Sequence, residues 1–246
     1  MPAVSGVFMR RGKWLWILPL FLCVFLFPFF HTKESTVENH EKKAERKLTV
    51  VKESGEVQLK KFQEECEDVA LVLFFPIEDR VFPVVYTPYD YDAYFRKDLK
   101  GNYSRMGTPF VDDRSSPDSR NLIINAHSSR DGESGMSFLR FYADSDYFTA
   151  HNTIECITEK GKTEYEIISL NEFDYAQAEP FPYNFYQGEF PSEREVEEML
   201  ESLKPYEICG SEEVNSEGKR ILTLITCNME KENSRYILLA LERKSS

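Results

Sequence analysis

The stretch at residues 220–242, RILTLITCNMEKENSRYILLALE, indicates the type of fold most clearly. Two aliphatic runs, RILTLIT at 220–226 and RYILLAL at 235–241, lie on either side of a short polar segment. Aliphatic and β-branched residues bounded by polar turn residues are typical of buried strands. We therefore expect a hairpin of two buried strands. Cys227 would end the first strand and Arg235 would begin the second.

Working outward from this hairpin, the chain shows many short β-type runs and few helical patterns. Strands are predicted at residues 69–75, 81–86, 108–111, 121–126, 153–157 and 165–170. Helices are predicted at 55–67, 90–99, 134–142 (capped by Ser134) and 191–203, and a loop at 171–190. Because a helix does not follow each strand, a doubly wound parallel sheet is disfavoured. The pattern favours a mixed β-barrel with helices inserted in its connections.

The helix at 191–203 (PSEREVEEMLESL) has the clearest pattern of the four. Ser192 is a favourable N-cap residue with Glu195 three positions later, which is the spacing of a capping box. Val196, Met199 and Leu203 recur at helical spacing and predict one buried face.

The N-terminal segment resembles a membrane anchor. Residues 14–30 form an apolar run directly preceded by Arg10, Arg11 and Lys13. A run of this length is near the lower limit for a spanning helix, and its positive flank predicts a cytoplasmic N-terminus. A cleaved signal peptide is the alternative, but the bulky residues that end the run form a poor cleavage site. We expect a cytoplasmic tip and transmembrane signal anchor at 1–31, a polar stalk at 32–54, and one extracellular folded domain at 55–246.

The charge of the chain excludes one class of partner. The formal net charge is −12 at pH 7, and the first 31 residues hold basic residues but no acidic one. The folded part is therefore more acidic than the whole chain. Such a surface repels phosphate backbones, so we expect no nucleic-acid binding.

Five cysteines are present, at positions 23, 66, 156, 209 and 227. They form no CxxC pair and have no metal-type spacing to histidine. A lone cysteine at a strand end is commonly a small buried apolar residue. Cys66, Cys156 and Cys209 are interpreted as structural, whereas the position of Cys227 is compatible with a reactive thiol.

Three polar residues lie at the ends of predicted strands. His127 follows the apolar strand at 121–126, Cys227 follows the strand at 220–226, and Arg235 begins the last strand. Together they offer a nucleophile, an acid/base with a pKa of ~6.5 and a cation that stabilises a thiolate or an oxyanion. This set is sufficient for acyl transfer through a thioester. The other histidines are less suitable, since His40 lies in the predicted stalk and His151 has no obvious partner.

The residues around this trio resemble the sortases, and class B sortases in particular. Residues 223–227 (TLITC) match the TLxTC motif at the sortase nucleophile, and Arg235 matches the family's downstream arginine. His127 matches the family histidine that follows an apolar strand. The sequence departs from the family pattern beside it, with Ala126 in place of glycine and Ser128 in place of asparagine.

The resemblance extends over about residues 65–243. Residues 82–114 resemble a family stretch with a Pro-Val-Val run, an aromatic-rich helix, a glycine turn and a strand ending in Asp. Residues 135–148 resemble the segment after the family histidine, and the helix at 191–203 resembles the extra helix that distinguishes class B.

The resemblance implies a closed, mixed, eight-stranded sortase-type β-barrel and a transpeptidase activity that needs no metal or cofactor. Cys227 would attack a C-terminal sorting signal, His127 would carry the proton, and Arg235 would orient the signal and stabilise the oxyanion. The implied partners are surface proteins that bear a sorting signal, and a peptidoglycan precursor or pilin amine as acceptor.

Two alternatives to this function are weaker. The enzyme alternative is another extracellular cysteine peptidase or a peptidoglycan-remodelling enzyme. Papain-like peptidases place their cysteine at a helix N-terminus, whereas Cys227 ends a predicted strand. The SxGCxR-type motif of L,D-transpeptidases is absent from this sequence. An anchored binding module that kept the fold but lost activity is the non-enzyme alternative, in which Cys227 would behave as an ordinary thiol.

Overall fold

A computed structural model describes residues 55–176 and 183–244 of the protein. The helices are α1 (Gly55–Glu65), α2 (Ser145–Ala150) and α3 (Glu193–Leu203), and 3-10 helices lie at Ser137–Ala143, Tyr183–Tyr186 and Lys204–Tyr206. The strands are β1 (Val69–Phe75), β2 (Arg80–Val85), β3 (Phe110–Val111), β4 (Asn121–Ala126), β5 (Thr153–Thr158), β6 (Gly161–Asp174), β7 (Glu207–Gly210), β8 (Ile221–Cys227) and β9 (Ser234–Glu242).

Eight of these strands close into a barrel in the order β5-β1-β2-β3-β4-β8-β9-β6, and β6 pairs with β5 to complete the ring. The short β7 pairs with β6 beyond the ring. The pairs β2–β3 and β4–β8 are parallel, and the other pairs in the ring are antiparallel. The predicted closed, mixed, eight-stranded barrel is therefore confirmed.

Strand β8 is buried on both of its faces. Leu222 and Leu224 point into the barrel core, whereas Ile221 and Ile225 belong to a second core on the outer face of the barrel. Successive side chains of a strand point to opposite faces, so a strand buried on both sides reads as a continuous apolar run. This explains why residues 221–225 show no polar alternation in the sequence.

Helix α3 covers the second core. Val196, Met199 and Leu203 are its buried residues, as the helical spacing predicts. Ser192 occupies the N-cap position with an extended backbone, but its side chain makes no capping hydrogen bond. The helix begins at Glu193, two residues after the predicted start.

The helix predicted at 90–99 is wrong, because this segment forms a series of turns. The carbonyl of Tyr94 accepts a hydrogen bond from the Thr108 N–H at 3.1 Å, and the carbonyl of Arg96 accepts one from the Ser104 N–H at 2.9 Å. These carbonyls therefore bond to a distant segment instead of the N–H groups four residues ahead. Tertiary contacts override the local preference for a helix here.

Three other predictions differ from the structure in extent. A 3-10 helix at Ser137–Ala143 replaces the helix predicted at 134–142, and the Ser134 hydroxyl donates to Asp131 at 2.7 Å instead of capping it. Strand β6 continues to Asp174, through the start of the predicted loop at 171–190, because β9 pairs with it over that whole length. Strand β3 is limited to two residues.

The predicted signal anchor at 1–31 and stalk at 32–54 lie outside the described residues. Within residues 55–176 and 183–244, no helix has the length and apolar character needed to cross a membrane.

A buried polar pair joins β8 to β4 in the outer core. The Thr223 hydroxyl donates to Asn121 Oδ1 at 2.7 Å, and both side chains are fully buried. Asn121 Nδ2 in turn donates to the carbonyls of Phe185 and Gln187 at 3.1 and 2.9 Å. The first threonine of the TLxTC sequence therefore fixes β8 against β4 and against the 3-10 helix Tyr183–Tyr186.

Replacing Thr223 by valine is expected to lower the free energy of unfolding by about 1–3 kcal/mol, because the isosteric change leaves the buried Asn121 oxygen without its donor. Urea unfolding followed by circular dichroism measures this loss. Thr163→Val is the control, since Thr163 lies on strand β6 and its hydroxyl makes no hydrogen bond to the described residues. Equal stabilities of the two variants would contradict the assigned role of Thr223.

Candidate active site

Strand pairing places His127 and Cys227 side by side. In the parallel pair β4–β8, Ala126 lies opposite Thr226, so the two candidate residues are the next positions along neighbouring strands. Adjacent strands are ~4.8 Å apart. The Thr226 hydroxyl donates to the Ala126 carbonyl at 2.9 Å, which holds the two strand ends together. The second threonine of the TLxTC sequence thus supports the backbone next to both residues.

The hairpin of β8 and β9 places Arg235 beside Cys227. These two residues lie directly opposite each other in the antiparallel register, as the sequence predicts. Such residues have Cβ atoms about 4.5–5.5 Å apart. The Asn228 N–H donates to the Ser234 carbonyl at 3.0 Å and closes the turn immediately beyond the pair. The three candidate residues are therefore collected at one end of the adjacent strands β4, β8 and β9.

Cys227 and Arg235 face the outer side of the barrel. Strand alternation puts Cys227 on the same face as Ile225, and Arg235 on the same face as Ile237. Ile225 and Ile237 both belong to the core that α3 covers. Cys227, Arg235 and His127 are all half-buried, so each is held by its surroundings while part of its surface stays accessible.

His127 is fixed by Phe95. Its Nε2 lies 2.8 Å from the Phe95 carbonyl, and the two rings are 4.3 Å apart at 61°. A carbonyl only accepts hydrogen bonds, so Nε2 carries the proton in this contact and Nδ1 is left as an acceptor. Burial lowers the pKa of His127, and the charges of Arg96 and Arg235 act in the same direction. The imidazole is therefore neutral at pH 7.

The Arg235 guanidinium has no carboxylate within 4 Å among residues 55–176 and 183–244. Its Nη1 donates to the Ser234 carbonyl at 3.0 Å, and its central carbon lies 5.5 Å from the centroid of the Tyr175 ring. An arginine has five N–H donors, so most of its donor capacity stays available for an acceptor oxygen.

A buried carboxylate supports the strand that carries His127. Asp112 accepts hydrogen bonds from Arg114 Nε and Nη2 at 2.6 and 2.9 Å, and from Asn125 Nδ2 at 2.8 Å. Burial acts to raise the pKa of Asp112, but the bonds from Arg114 and Asn125 outweigh it and hold the pKa below its ordinary value. The ionised Asp112 thereby anchors Asn125, two residues before His127.

The Asp112–Arg114 pair connects to Arg235 through two tyrosines. The Arg114 guanidinium lies 4.0 Å from the centroid of the Tyr186 ring, and the Tyr186 hydroxyl is 2.5 Å from that of Tyr175. Tyr175 in turn lies beside Arg235. This connection is not among the features predicted from the sequence. The only signal for it was the charged DDR sequence at 112–114 and the aromatic composition of residues 171–190.

The other described cysteines have surroundings that suit packing. Cys156 is buried, and burial raises its pKa to about 12. Burial also raises the pKa of Cys209, and Cys66 is buried just after α1. His151 does have a partner, contrary to expectation: its ring stacks on Tyr147 at 3.8 Å. His40 and Cys23 lie outside the described residues.

Solved structures that share this fold include class B sortases. A mutant form of sortase B from Clostridium perfringens superimposes with a TM-score of 0.66 at 22% identity, covering 85% of this chain and 92% of that one. A substrate complex of Staphylococcus aureus sortase B superimposes with a TM-score of 0.66 at 19% identity, covering 87% of this chain and 100% of that one. Sortase B from Bacillus anthracis superimposes with a TM-score of 0.63 at 23% identity, covering 76% of this chain and 85% of that one. The protein therefore has the class B sortase fold.

The sequence shows the same relationship over part of its length. Sortase B of Listeria monocytogenes is 31% identical over 145 residues, which are 58% of this chain and 56% of that protein. The matched region thus spans a little over half the length of this curated relative. No family model matches the chain. The predicted resemblance to class B sortases is confirmed in both sequence and fold.

Proposed function

We propose that this protein is a sortase-type cysteine transpeptidase. It would cleave a C-terminal sorting signal through a thioester and transfer the released acyl group to an amine. The convergence of Cys227, His127 and Arg235 at the ends of three neighbouring strands is the observation that carries the proposal. The similarity to sortase B in sequence and fold supports it.

In the first step, the Cys227 sulfur attacks the carbonyl carbon of the scissile peptide bond. The thiol proton passes to Nδ1 of His127, because Nε2 is engaged by the Phe95 carbonyl. As the carbon–nitrogen bond breaks, His127 gives this proton to the departing amine. The products are a thioester on Cys227 and the free C-terminal part of the signal.

In the second step, an acceptor amine attacks the thioester carbon. His127 removes a proton from the amine as the new carbon–nitrogen bond forms, and the proton returns to the departing sulfur. The thiol and the neutral imidazole are thus regenerated, and no external oxidant or reductant is required.

Arg235 would stabilise the oxyanion in both steps. Its guanidinium is adjacent to Cys227 and has no carboxylate partner among the described residues, so it can donate to a carbonyl oxygen of the signal. A donor aimed at the developing negative charge lowers the barrier most when the site is partly shielded from water.

Replacing Arg235 by alanine is expected to reduce kcat/KM for signal cleavage by roughly 10²–10³-fold, the usual effect of losing an oxyanion donor. Arg235→Lys should recover only a small part of the lost kcat/KM, because an ammonium lacks the planar fork of the guanidinium. Arg243→Ala is the matched control just beyond the end of β9. Steady-state cleavage of a fluorogenic signal peptide measures the three values. A loss of kcat/KM in Arg243→Ala as large as in Arg235→Ala would contradict the proposed role of Arg235 as oxyanion donor.

The proposed partners and location follow from the same function. Surface proteins with a C-terminal sorting signal would be the acyl donors, and a peptidoglycan precursor or a pilin lysine would supply the amine. We propose that residues 1–31 anchor the chain in the cell membrane and that residues 32–54 hold the domain at 55–246 outside the cell. The basic residues before the apolar run at 14–30 support this orientation.

A peptide library tests the function. The full chain, kept in a non-ionic detergent, is incubated with a library of pentapeptide signals and with triglycine as the amine, and the products are read by mass spectrometry. We expect a subset of peptides to be cleaved and joined to triglycine. If no peptide is cleaved while the chain is folded, the proposed activity is wrong.

A further inference from the structure

A cavity of about 640 Å³ lies on the outer side of the barrel between α3, β6 and the segment at 212–217. Ile168, Leu200 and Leu239 contribute apolar surface to it. None of the three candidate catalytic residues lines this cavity, so it is separate from the site proposed above.

The polar lining of the cavity is strongly acidic. One cation, Lys204, faces six carboxylates, those of Glu193, Glu197, Glu201, Glu207, Glu212 and Glu217. Two of the six have cationic partners: Arg120 pairs with Glu193 at 2.7 Å and Lys204 with Glu207 at 2.9 Å. The other four have no Lys or Arg nitrogen within 4 Å in the described part of the chain. The cavity therefore has a large excess of negative charge.

Helix α3 places like charges in a row along this cavity. Glu193, Glu197 and Glu201 are four residues apart, a spacing at which like charges repel on one helix face. The same helix carries a favourable pair of Arg194 and Glu198 at 2.8 Å, and neither of these two residues lines the cavity. The sequence thus offsets charge on one face of α3. On the face towards the cavity only Glu193 has a cationic partner, and Glu197 and Glu201 have none among the described residues.

A buried acceptor provides a second, independent indication of a ligand. Asn171 lines the cavity and is 0% exposed. Its Nδ2 donates to Ser169 Oγ at 2.9 Å and to the Ile237 carbonyl at 3.1 Å, which fixes the orientation of the amide. Its Oδ1 has no donor among the described residues. A buried acceptor of this kind is stabilised when an N–H group reaches it.

We propose that this cavity binds a lysine side chain presented by a basic segment of a partner protein. The aliphatic stem of lysine fits the apolar part of the lining, and its ammonium group supplies three donors to the carboxylates and to Asn171. The charge excludes anionic ligands. A metal ion fits less well, because the described residues include no group of three or more His, Cys, Asp or Glu side chains placed to hold one.

The cavity is close enough to the proposed active site for one partner to reach both. Asn171 lies opposite Ile237, two residues along β9 from Arg235, which corresponds to about 7 Å. A segment held in the cavity would therefore lie beside the strand ends that carry Cys227 and Arg235. The binding itself does not depend on the proposed activity.

Binding of a fluorescein-labelled hexalysine peptide tests the proposal. The full chain with Cys227→Ala is titrated in non-ionic detergent at fixed ionic strength and followed by fluorescence anisotropy. Glu197→Gln/Glu201→Gln removes two carboxylates from the cavity, and Glu195→Gln/Glu198→Gln removes the same charge from elsewhere on α3. We expect the first double variant to weaken binding about tenfold and the second less than twofold. Methyl NMR signals of Leu200 and Leu239 should shift on binding.

Three outcomes would overturn the inference. Equal weakening in both double variants would show a non-specific attraction to an acidic surface. The absence of hexalysine binding to a chain that melts normally would show that the cavity does not take a lysine side chain. Displacement of hexalysine by micromolar calcium, with the same methyl shifts, would identify a metal site instead. Because Cys227 is absent from the tested chain, none of these results depends on transpeptidase activity.

Discussion

Replacing Cys227 by alanine is expected to abolish both thioester formation and transpeptidation, with a fall in the cleavage rate of roughly 10⁴-fold or more. The variant removes the only nucleophile that strand pairing places beside both His127 and Arg235 in the described residues. The stability should change little, because Cys227 is half-buried at the end of β8. Cleavage of a signal peptide and thermal unfolding of the same sample measure the two quantities.

Cys209→Ala is the matched control, since Cys209 is also a half-buried strand cysteine. It should keep the activity of the unmodified protein. Cys156→Ala should also keep the activity, although it creates a small space in the barrel core. Activity that survives in Cys227→Ala but is lost in Cys156→Ala would show that the wrong thiol has been assigned.

Replacing His127 by alanine is expected to reduce the cleavage rate by roughly 10²–10⁴-fold, the usual contribution of a general acid/base. The pH profile gives a second signature. Burial lowers the pKa of His127, so the activity of the unmodified protein should fall only below the ordinary histidine value of ~6.5. Below its pKa, the protonated imidazole cannot accept the thiol proton. The residual activity of His127→Ala should lack this acidic limb.

His151→Ala serves as the control, because His151 stacks on Tyr147 away from the three strand ends. It should keep both the rate and the acidic limb. If His127→Ala keeps the acidic limb, another group carries the proton and the assignment of His127 fails.

The β8–β9 hairpin could be predicted from the sequence because both strands are apolar throughout and the turn between them is polar. The hairpin alone determines that Cys227 faces Arg235. The position of His127 beside Cys227 could not be predicted from the hairpin. It depends on the parallel pairing of β4 with β8, two strands about one hundred residues apart. The resemblance to sortases supplied that link, which hydrophobic periodicity alone does not.

The segments predicted wrongly are those whose structure depends on distant partners. Residues 90–99 have helical spacing, but the Tyr94 carbonyl bonds to Thr108. The end of β6 looks like a loop in the sequence, but β9 pairs with it as far as Asp174. Local patterns carry no information on either partner.

The threonines of the TLxTC sequence also show a limit of motif-based prediction. The motif identified Cys227, yet it gave no reason for the threonines. In the structure, Thr223 bonds to Asn121 and Thr226 bonds to the Ala126 carbonyl, so both join β8 to β4. The motif therefore combines one candidate nucleophile with the two hydroxyl groups that hold its strand against the strand of His127.

Mass spectrometry of the trapped intermediate tests the central claim most directly. The full chain is mixed with a cleavable signal peptide in the absence of an amine, stopped in acid, digested and sequenced by tandem fragmentation. The proposed mechanism predicts the acyl part of the signal attached to Cys227 and its release by hydroxylamine. An acyl group on another cysteine, or efficient cleavage with no adduct on Cys227 at any time, would contradict it.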